Sequence, residues 1–221
     1  MRTAVITGAS RGIGKATAEK FLSEGWRVIG TSTDGEGWQS ENIEWIPLDL
    51  EDPGSVAKAA EAILSRGSFE VLINNAGHLD EIESAFGDLP IKRSILEKTL
   101  EINLVGTIDF TEQLVPSLRS GSHIISVGSI LGSITDATEA QSPAYSISKA
   151  ALSMYTRQLA AQLKEKGVTV SIVDPGWVRT DMGGPNAVRE AEEPANEIYE
   201  LATRANVPSG MFWQSGTERS W

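Results

Sequence analysis

A phenol and an ammonium four residues apart set the chemical question: Tyr145-Ser146-Ile147-Ser148-Lys149. Four residues is about one helical turn, so on a helix the two groups lie on one face, one above the other. A phenol with a pKa near ~10 is a weak acid–base group at neutral pH. A lysine cation beside it favours the phenolate and lowers that pKa. Such a pair can give a proton to a carbonyl oxygen or take one from an alcohol. The same spacing occurs on many plain helix faces, so the pair gains meaning only from what positions it.

The positioning elements begin at the first residues. Thr3 to Thr7 is a short apolar run with β-branched members, followed by Gly8-Ala9-Ser10-Arg11-Gly12-Ile13-Gly14 and then a helical pattern through Leu22. Strand, glycine turn and helix in that order are the context a dinucleotide fingerprint requires. Gly8 permits the tight turn, Gly12 lets backbone approach a pyrophosphate, and Gly14 lets helix and strand pack closely. The helix start offers N–H groups and a positive dipole end to phosphates.

The second strand, Trp26 to Thr31, ends in the neutral hydroxyls Thr31, Ser32 and Thr33, where an acid would bind the ribose of NAD and repel NADP. Arg11 can supply a cation for a 2′-phosphate. Both features favour NADP. Asp34 stands near the generic position of the ribose-binding acid and argues for NAD, although Gly35 and Gly37 place it in the loop.

Ile43 to Leu48 reads as a third strand ending at Asp49-Leu50, whose carboxylate suits either an adenine amino group or the cap of the helix starting near Asp52-Pro53. A fourth strand, Glu70 to Ile73, runs into Asn74-Asn75-Ala76-Gly77, a tight turn at the ligand side of a sheet. His78 to Lys92 is a polar, acidic loop. A helix is expected from about Ser94 to Leu118, with Asn103 in its apolar middle, either facing solvent or opening the helix to a bound water. Ser129 follows a fifth strand, His123 to Val127. Val168 to Val173 is a sixth strand closing on Asp174-Pro175-Gly176, Ala187 to Asn206 a further helix, and Gly210 to Trp213 a short last strand.

This alternation predicts an α/β fold: one doubly wound, Rossmann-type parallel sheet of about seven strands, with helices on both faces. No linker or repeat divides residues 1–221, which read as one domain. A formal net charge of -11 argues against nucleic-acid and anionic-membrane partners. With no cysteine and only two histidines, His78 and His123, no metal site is expected. The first strand leaves no room for a signal peptide and no apolar run reaches membrane length, so the expected setting is the cytoplasm.

In their order and spacing, Thr7-Gly8-x-x-x-Gly12-Ile13-Gly14, Asn74-Asn75-Ala76-Gly77, Asn103, Ser129, Tyr145-x-x-x-Lys149 and Pro175-Gly176 resemble the short-chain dehydrogenase/reductase family over essentially the whole chain. Pro175 to Pro185, Gly210-x-Phe212 and Trp221 look like its carbonyl reductase and C-factor-like branch. Two features depart from typical members: a somewhat longer stretch between Ser129 and Tyr145, and a short segment after Pro175 that reduces the substrate-covering helices. The resemblance implies a cofactor held by Gly8, Ser10, Arg11, Gly12, Ile13, Gly14, Ser32, Thr33, Asp49, Leu50, Asn75, Ala76, Gly77, Tyr145, Lys149, Pro175, Gly176, Val178 and Thr180. It further implies hydride delivery from NADPH to an aldehyde or ketone. Tyr145 would be the proton donor and Ser129 the group that orients the carbonyl. Lys149 would hold the nicotinamide ribose and lower the tyrosine's pKa, and Asn103 would hold a proton-passing water. An NADP(H)-binding signalling or regulatory protein with little turnover is the alternative. Leu131, Ile134, Trp177, Met182 and Met211 are candidates for an apolar substrate pocket. The apolar residues of the Tyr145 helix suggest pairing with a second copy, as a homodimer or homotetramer.

Overall fold

The computed structural model describes residues 1–80, 91–137 and 141–221. Its strands are β1 (Thr3–Ile6), β2 (Arg27–Ser32), β3 (Ile43–Pro47), β4 (Val71–Asn74), β5 (His123–Val127), β6 (Thr169–Asp174), β7 (Met211–Gln214) and β8 (Thr217–Arg219). They form a sheet in the order β3-β2-β1-β4-β5-β6-β7-β8. All neighbours are parallel except β7 and β8. The order turns outward in both directions from β1 and β4, which puts the ligand crevice of such sheets at their carboxyl ends.

The doubly wound sheet is as expected, with one correction. It has eight strands rather than about seven, and the last is antiparallel. Ser215 and Gly216 both have positive φ, 48° and 74°. Two such residues between paired strands make the tight hairpin that reverses the chain. Thr217, Glu218 and Arg219 carry no apolar run, so the strand pattern of β8 is silent; the Ser-Gly turn was its one signal.

Alternating side chains on each strand go to opposite faces. Val5, Leu72, Ile124 and Val170 join one core with α2 (Pro53–Leu64), α4 (Thr107–Leu114) and α5 (Pro143–Gln162). Ala4, Ile6, Ile73, Ile125 and Val173 join the other with α1 (Gly12–Ser23) and α6 (Glu192–Thr203). Phe21 of α1 packs edge-on against Tyr199 of α6 at 5.1 Å between centroids. The inner strands β1, β4, β5 and β6 are thus covered on both faces, as parallel strands require.

Two expected helices differ in extent. The continuous helix from Ser94 to Leu118 is instead α3 (Arg93–Leu100), a π-helical segment (Glu101–Gly106), α4 and a 3₁₀ turn (Val115–Ser117). The break is centred on Asn103 and ends at Gly106, where a Cβ would stand 2.0 Å from the Leu50 carbonyl oxygen. The wider π turn lets this backbone settle on the end of β3. The helix expected from Ala187 to Asn206 spans only Glu192–Thr203; the preceding stretch is tied down by a bridge between Val178 and Arg189. Most of the His78–Lys92 loop lies outside the described residues. No described helix is long and apolar enough to cross a membrane.

Candidate active site

The glycine turn is built first. Gly8 has φ +63° and Gly12 +54°, the left-handed region that favours glycine. A Cβ on Gly14 would lie 2.2 Å from the Gly8 carbonyl oxygen and 2.4 Å from Asn75 Nδ2, so no other residue fits. Thr7 and Asn75 lock the turn to β4. The Thr7 hydroxyl oxygen accepts from the Asn75 and Ala76 amides at 3.0 and 2.9 Å, and Asn75 Nδ2 donates to the Thr7 and Gly8 carbonyls at 2.9 and 3.2 Å. No side chain caps α1, whereas α2 is closed by its own Asp52, which accepts from Gly54 N at 2.8 Å. The open start of α1 is what an incoming phosphate needs.

Asp52, then, is the α2 cap, and Asp49 instead shapes the turn before it, accepting from Glu51 N at 3.0 Å. Ser32 ends β2, and its hydroxyl lies between Asp34 Oδ1 (2.9 Å) and the Glu36 carbonyl (2.7 Å). The Asp34 carboxylate accepts from Glu36 N at 3.0 Å, and that bond with the Ser32 hydroxyl holds its pKa below the usual carboxylate range. Its Oδ1 is thus held within its own loop. Thr33 is exposed, and Ser10 and Ile13 lie half-buried along the glycine turn. Arg11 is exposed and paired with Asp181 at 3.2 Å. Beside it, Thr180 leans on Gly12, its Cγ2 3.2 Å from where a Cβ would be. Val178 is buried, and Arg189 holds the Pro175 carbonyl at 2.7 Å.

The acid–base groups stand at the carboxyl ends of β5 and β6. Ser142 precedes α5 in a left-handed turn and Pro143 occupies its first turn, where its missing N–H costs nothing. Tyr145 and Lys149 do fall on one helix face, with Lys149 Nζ 5.4 Å from the phenol ring centre. Lys149 is 3% exposed and donates to the Val127 carbonyl at 2.8 Å. The Ser129 side chain hydrogen-bonds the phenol and also accepts from Leu131 N at 3.2 Å. Gly132 brings the Ser129 loop against α5: a Cβ there would be 2.7 Å from Ala150 N. Asn103 is buried in the π segment, accepting from His78 N at 2.6 Å and donating to His78 O at 2.8 Å and Ser148 Oγ at 3.0 Å. Gly77 closes the ring, since a Cβ there would sit 3.4 Å from Asn103 Oδ1 and 3.6 Å from Lys149 Nζ.

In the bare protein burial pushes the Tyr145 phenol up, the nearby Asp174 carboxylate pushes it further, and Ser129 only partly offsets them. Burial also lowers the Lys149 ammonium to about 8. Desolvation disfavours the charged form of each group. Asp174 was the residue the sequence did not flag; its role shows only once β6 and α5 are adjacent. The five candidate pocket residues differ in exposure. Ile134, Trp177 and Met182 are exposed, Leu131 is half-buried, and Met211 packs against the core. On α5, Leu152, Leu159 and Ala160 are buried within the chain, as is Leu163 just after it, while Ile147 and Met154 are exposed.

A sheet of this order with a glycine turn opposite a Tyr–Lys pair defines a dinucleotide-dependent oxidoreductase fold, and comparison with known proteins agrees. The model for short chain dehydrogenases matches residues 2–191, so the chain belongs to the short-chain dehydrogenase family. It is 31% identical over 220 residues to the 3-oxoacyl-[acyl-carrier-protein] reductase FabG of Vibrio cholerae, covering 96% of this chain and 84% of that protein. It is 35% identical over 159 residues to the C-signal protein of Myxococcus xanthus, covering 70% of this chain and 94% of that one. Among solved structures, the NADPH-bound carbonyl reductase from chicken fatty liver superposes with a TM-score of 0.88 at 26% identity, covering 100% of this chain and 99% of that one.

Proposed function

We propose that the protein is an NADPH-dependent reductase of an aldehyde or ketone carbonyl, with Tyr145 giving the proton to the carbonyl oxygen. The observation that carries this reading is the meeting of Tyr145, Lys149 and Ser129 in one cluster at the β5–β6 ends, beside the Asn75–Gly77 turn. When bound, the nicotinamide supplies the hydride. Gly8, Ser10, Arg11, Gly12, Ile13, Gly14, Ser32, Thr33, Asp49, Leu50, Asn75, Ala76, Gly77, Lys149, Pro175, Gly176, Val178 and Thr180 hold the dinucleotide. Ser129 fixes the carbonyl oxygen near the phenol, a gain from orientation. Lys149 carries the positive charge that a departing phenol proton needs nearby. Asn103 holds the π segment and the His78 backbone in place behind Lys149.

The choice of NADPH rests on Asp34. Asp34 Oδ1 is held by Ser32 and the Glu36 amide in the loop after β2, and the end of β2 itself offers only hydroxyls, which leaves the ribose side without the acid that selects NAD. A spectrophotometric assay of NADPH and NADH oxidation over aldehydes, ketones and diketones tests the proposal. Turnover with NADPH on at least one carbonyl class supports it. The likeness to the C-signal protein favours one other reading, a signalling protein that binds NADP(H) with little turnover; tight NADPH binding with silence across the panel selects it. Exposed Ile147 and Met154 on α5 support a homodimer or homotetramer, which light scattering reporting only monomer mass rejects.

A further inference from the structure

Asp174 is a buried carboxylate at the end of a central strand, 1% exposed, with no described cation in ion-pair contact. Burying such a group is costly unless its oxygens are held. Both are. Oδ1 accepts from Gly176 N at 3.1 Å, and Oδ2 accepts from Gln214 Nε2 at 2.5 Å. The Gln214 amide is itself oriented, because its oxygen accepts from Arg219 of β8. Arg219 in turn pairs with Asp136 at 3.0 Å, and Asp136 accepts from the Ser133 hydroxyl at 2.7 Å. This chain of contacts runs from the end of β6, across the hairpin, to the loop that follows Ser129. The register supports the same closeness: Val127 pairs with Val173, so Gly128 and Ser129 leave β5 beside Asp174.

We propose that Asp174 is a positioning residue for the proton donor: its fixed negative charge opposes ionisation of Tyr145 and so favours the phenol that reduction needs over the phenolate that alcohol oxidation needs. The proposal rests on the reductase reading and refines it. Among the described residues, the groups set against Tyr145 include Lys149 from its own helix, Ser129 from the β5 loop and Asp174 from β6. Against Asp174 itself stand Gln214 from β7, with Arg219 behind it, and the Pro175–Gly176 turn under Arg189. Among the described residues, the Asp174 carboxylate is the charge that opposes proton loss from the phenol, against the Lys149 ammonium that favours it. Removing the carboxylate makes the phenol easier to ionise.

The test is Asp174→Asn, which keeps the size and an acceptor oxygen. In NADPH-driven reduction, the alkaline limb of the kcat profile moves to lower pH by about one unit, while in alcohol oxidation the rise with pH begins about one unit earlier. Oxidation at a fixed pH below that limb rises up to about tenfold, and KM for NADPH stays put. A limb that does not move, with kcat or thermal stability merely lowered, overturns the proposal. Asp174→Ser serves if the asparagine variant does not fold. A second readout needs no turnover. The chain has three tyrosines, so ¹³Cζ-tyrosine NMR resolves Tyr145, assigned by its loss in Tyr145→Phe. The Tyr145 signal in the Asp174 variant titrates about one unit earlier than in the parent; equal behaviour in the two, including no titration in either, overturns the idea. Failure of the reductase reading looks different: the parent turns over no carbonyl, while the NMR comparison still reads the Asp174 effect.

Discussion

The two rims of the crevice are made of different material. The glycine rim, between β1, β2 and β4, is a matter of backbone shape: positive φ at Gly8 and Gly12, a Gly14 that tolerates no side chain, and amides stitched by Thr7 and Asn75. The acid–base rim, between β5, β6 and α5, is a matter of charge in a dry place: Lys149 at 3% exposed, Asp174 at 1%, and a phenol that feels the carboxylate. Shape is specified locally by residue type. Charge behaviour is specified by burial, which depends on elements far apart in the chain.

The largest break in this contrast comes from the acid–base rim. Tyr145→Phe loses roughly 10²- to 10⁴-fold in kcat for carbonyl reduction, the usual worth of a positioned proton donor, while NADPH binding by fluorescence titration is kept. Substantial reductase activity in that variant removes Tyr145 from the mechanism. The amino end of the same strand β5 provides a control for burial without catalysis. His123 is buried against Ser171 Oγ at 2.9 Å, and burial lowers its pKa from 6.5 to about 4. Above pH 6.5 the imidazole is neutral in both folded and unfolded chains, so it adds no pH dependence. As pH falls from 6.5 toward 4 only the unfolded chain takes the proton, and stability drops by up to about 3 kcal/mol. His123→Gln removes that part of the slope, read from urea midpoints at pH 5 and 7.5; an unchanged slope counts against it.

On the glycine rim, Gly14→Ala forces a methyl into the Gly8 carbonyl and costs about 1–3 kcal/mol of stability along with NADPH affinity, measured by chemical denaturation and titration. Unchanged binding would mean that the turn is looser than its geometry. The smallest effect belongs to the exposed pair Arg11–Asp181. Asp181→Asn shifts stability by less than about 1 kcal/mol. It also frees Arg11, so affinity for NADPH rises a few-fold while that for NADH does not, by parallel titrations; equal change for both cofactors detaches Arg11 from the 2′-phosphate.

The same contrast explains what could be read from the chain. The strand–glycine–helix start, the Tyr–Lys spacing and the doubly wound order were legible because they are local patterns. The break in the helix at Asn103 was visible as a misplaced amide, yet its form, a π segment resting on Leu50, depends on a turn far away in the chain. Asp174 and Gln214 are opposite each other only through the β6–β7 register, so no spacing could join them. The direction of the Tyr145 shift in the bare protein is hidden for the same reason: a cation one helical turn away is visible in the sequence, and the burial of both groups is not.

The hairpin that carries β8 also finishes the sheet. A parallel sheet ending at β7 would offer Met211 to Gln214 as a bare row of amides and carbonyls to any passing strand. Three residues, two of them the charged Glu218 and Arg219, occupy that row instead. So short and charged a border gives a foreign chain little to copy, which protects the molecule from edge-to-edge aggregation.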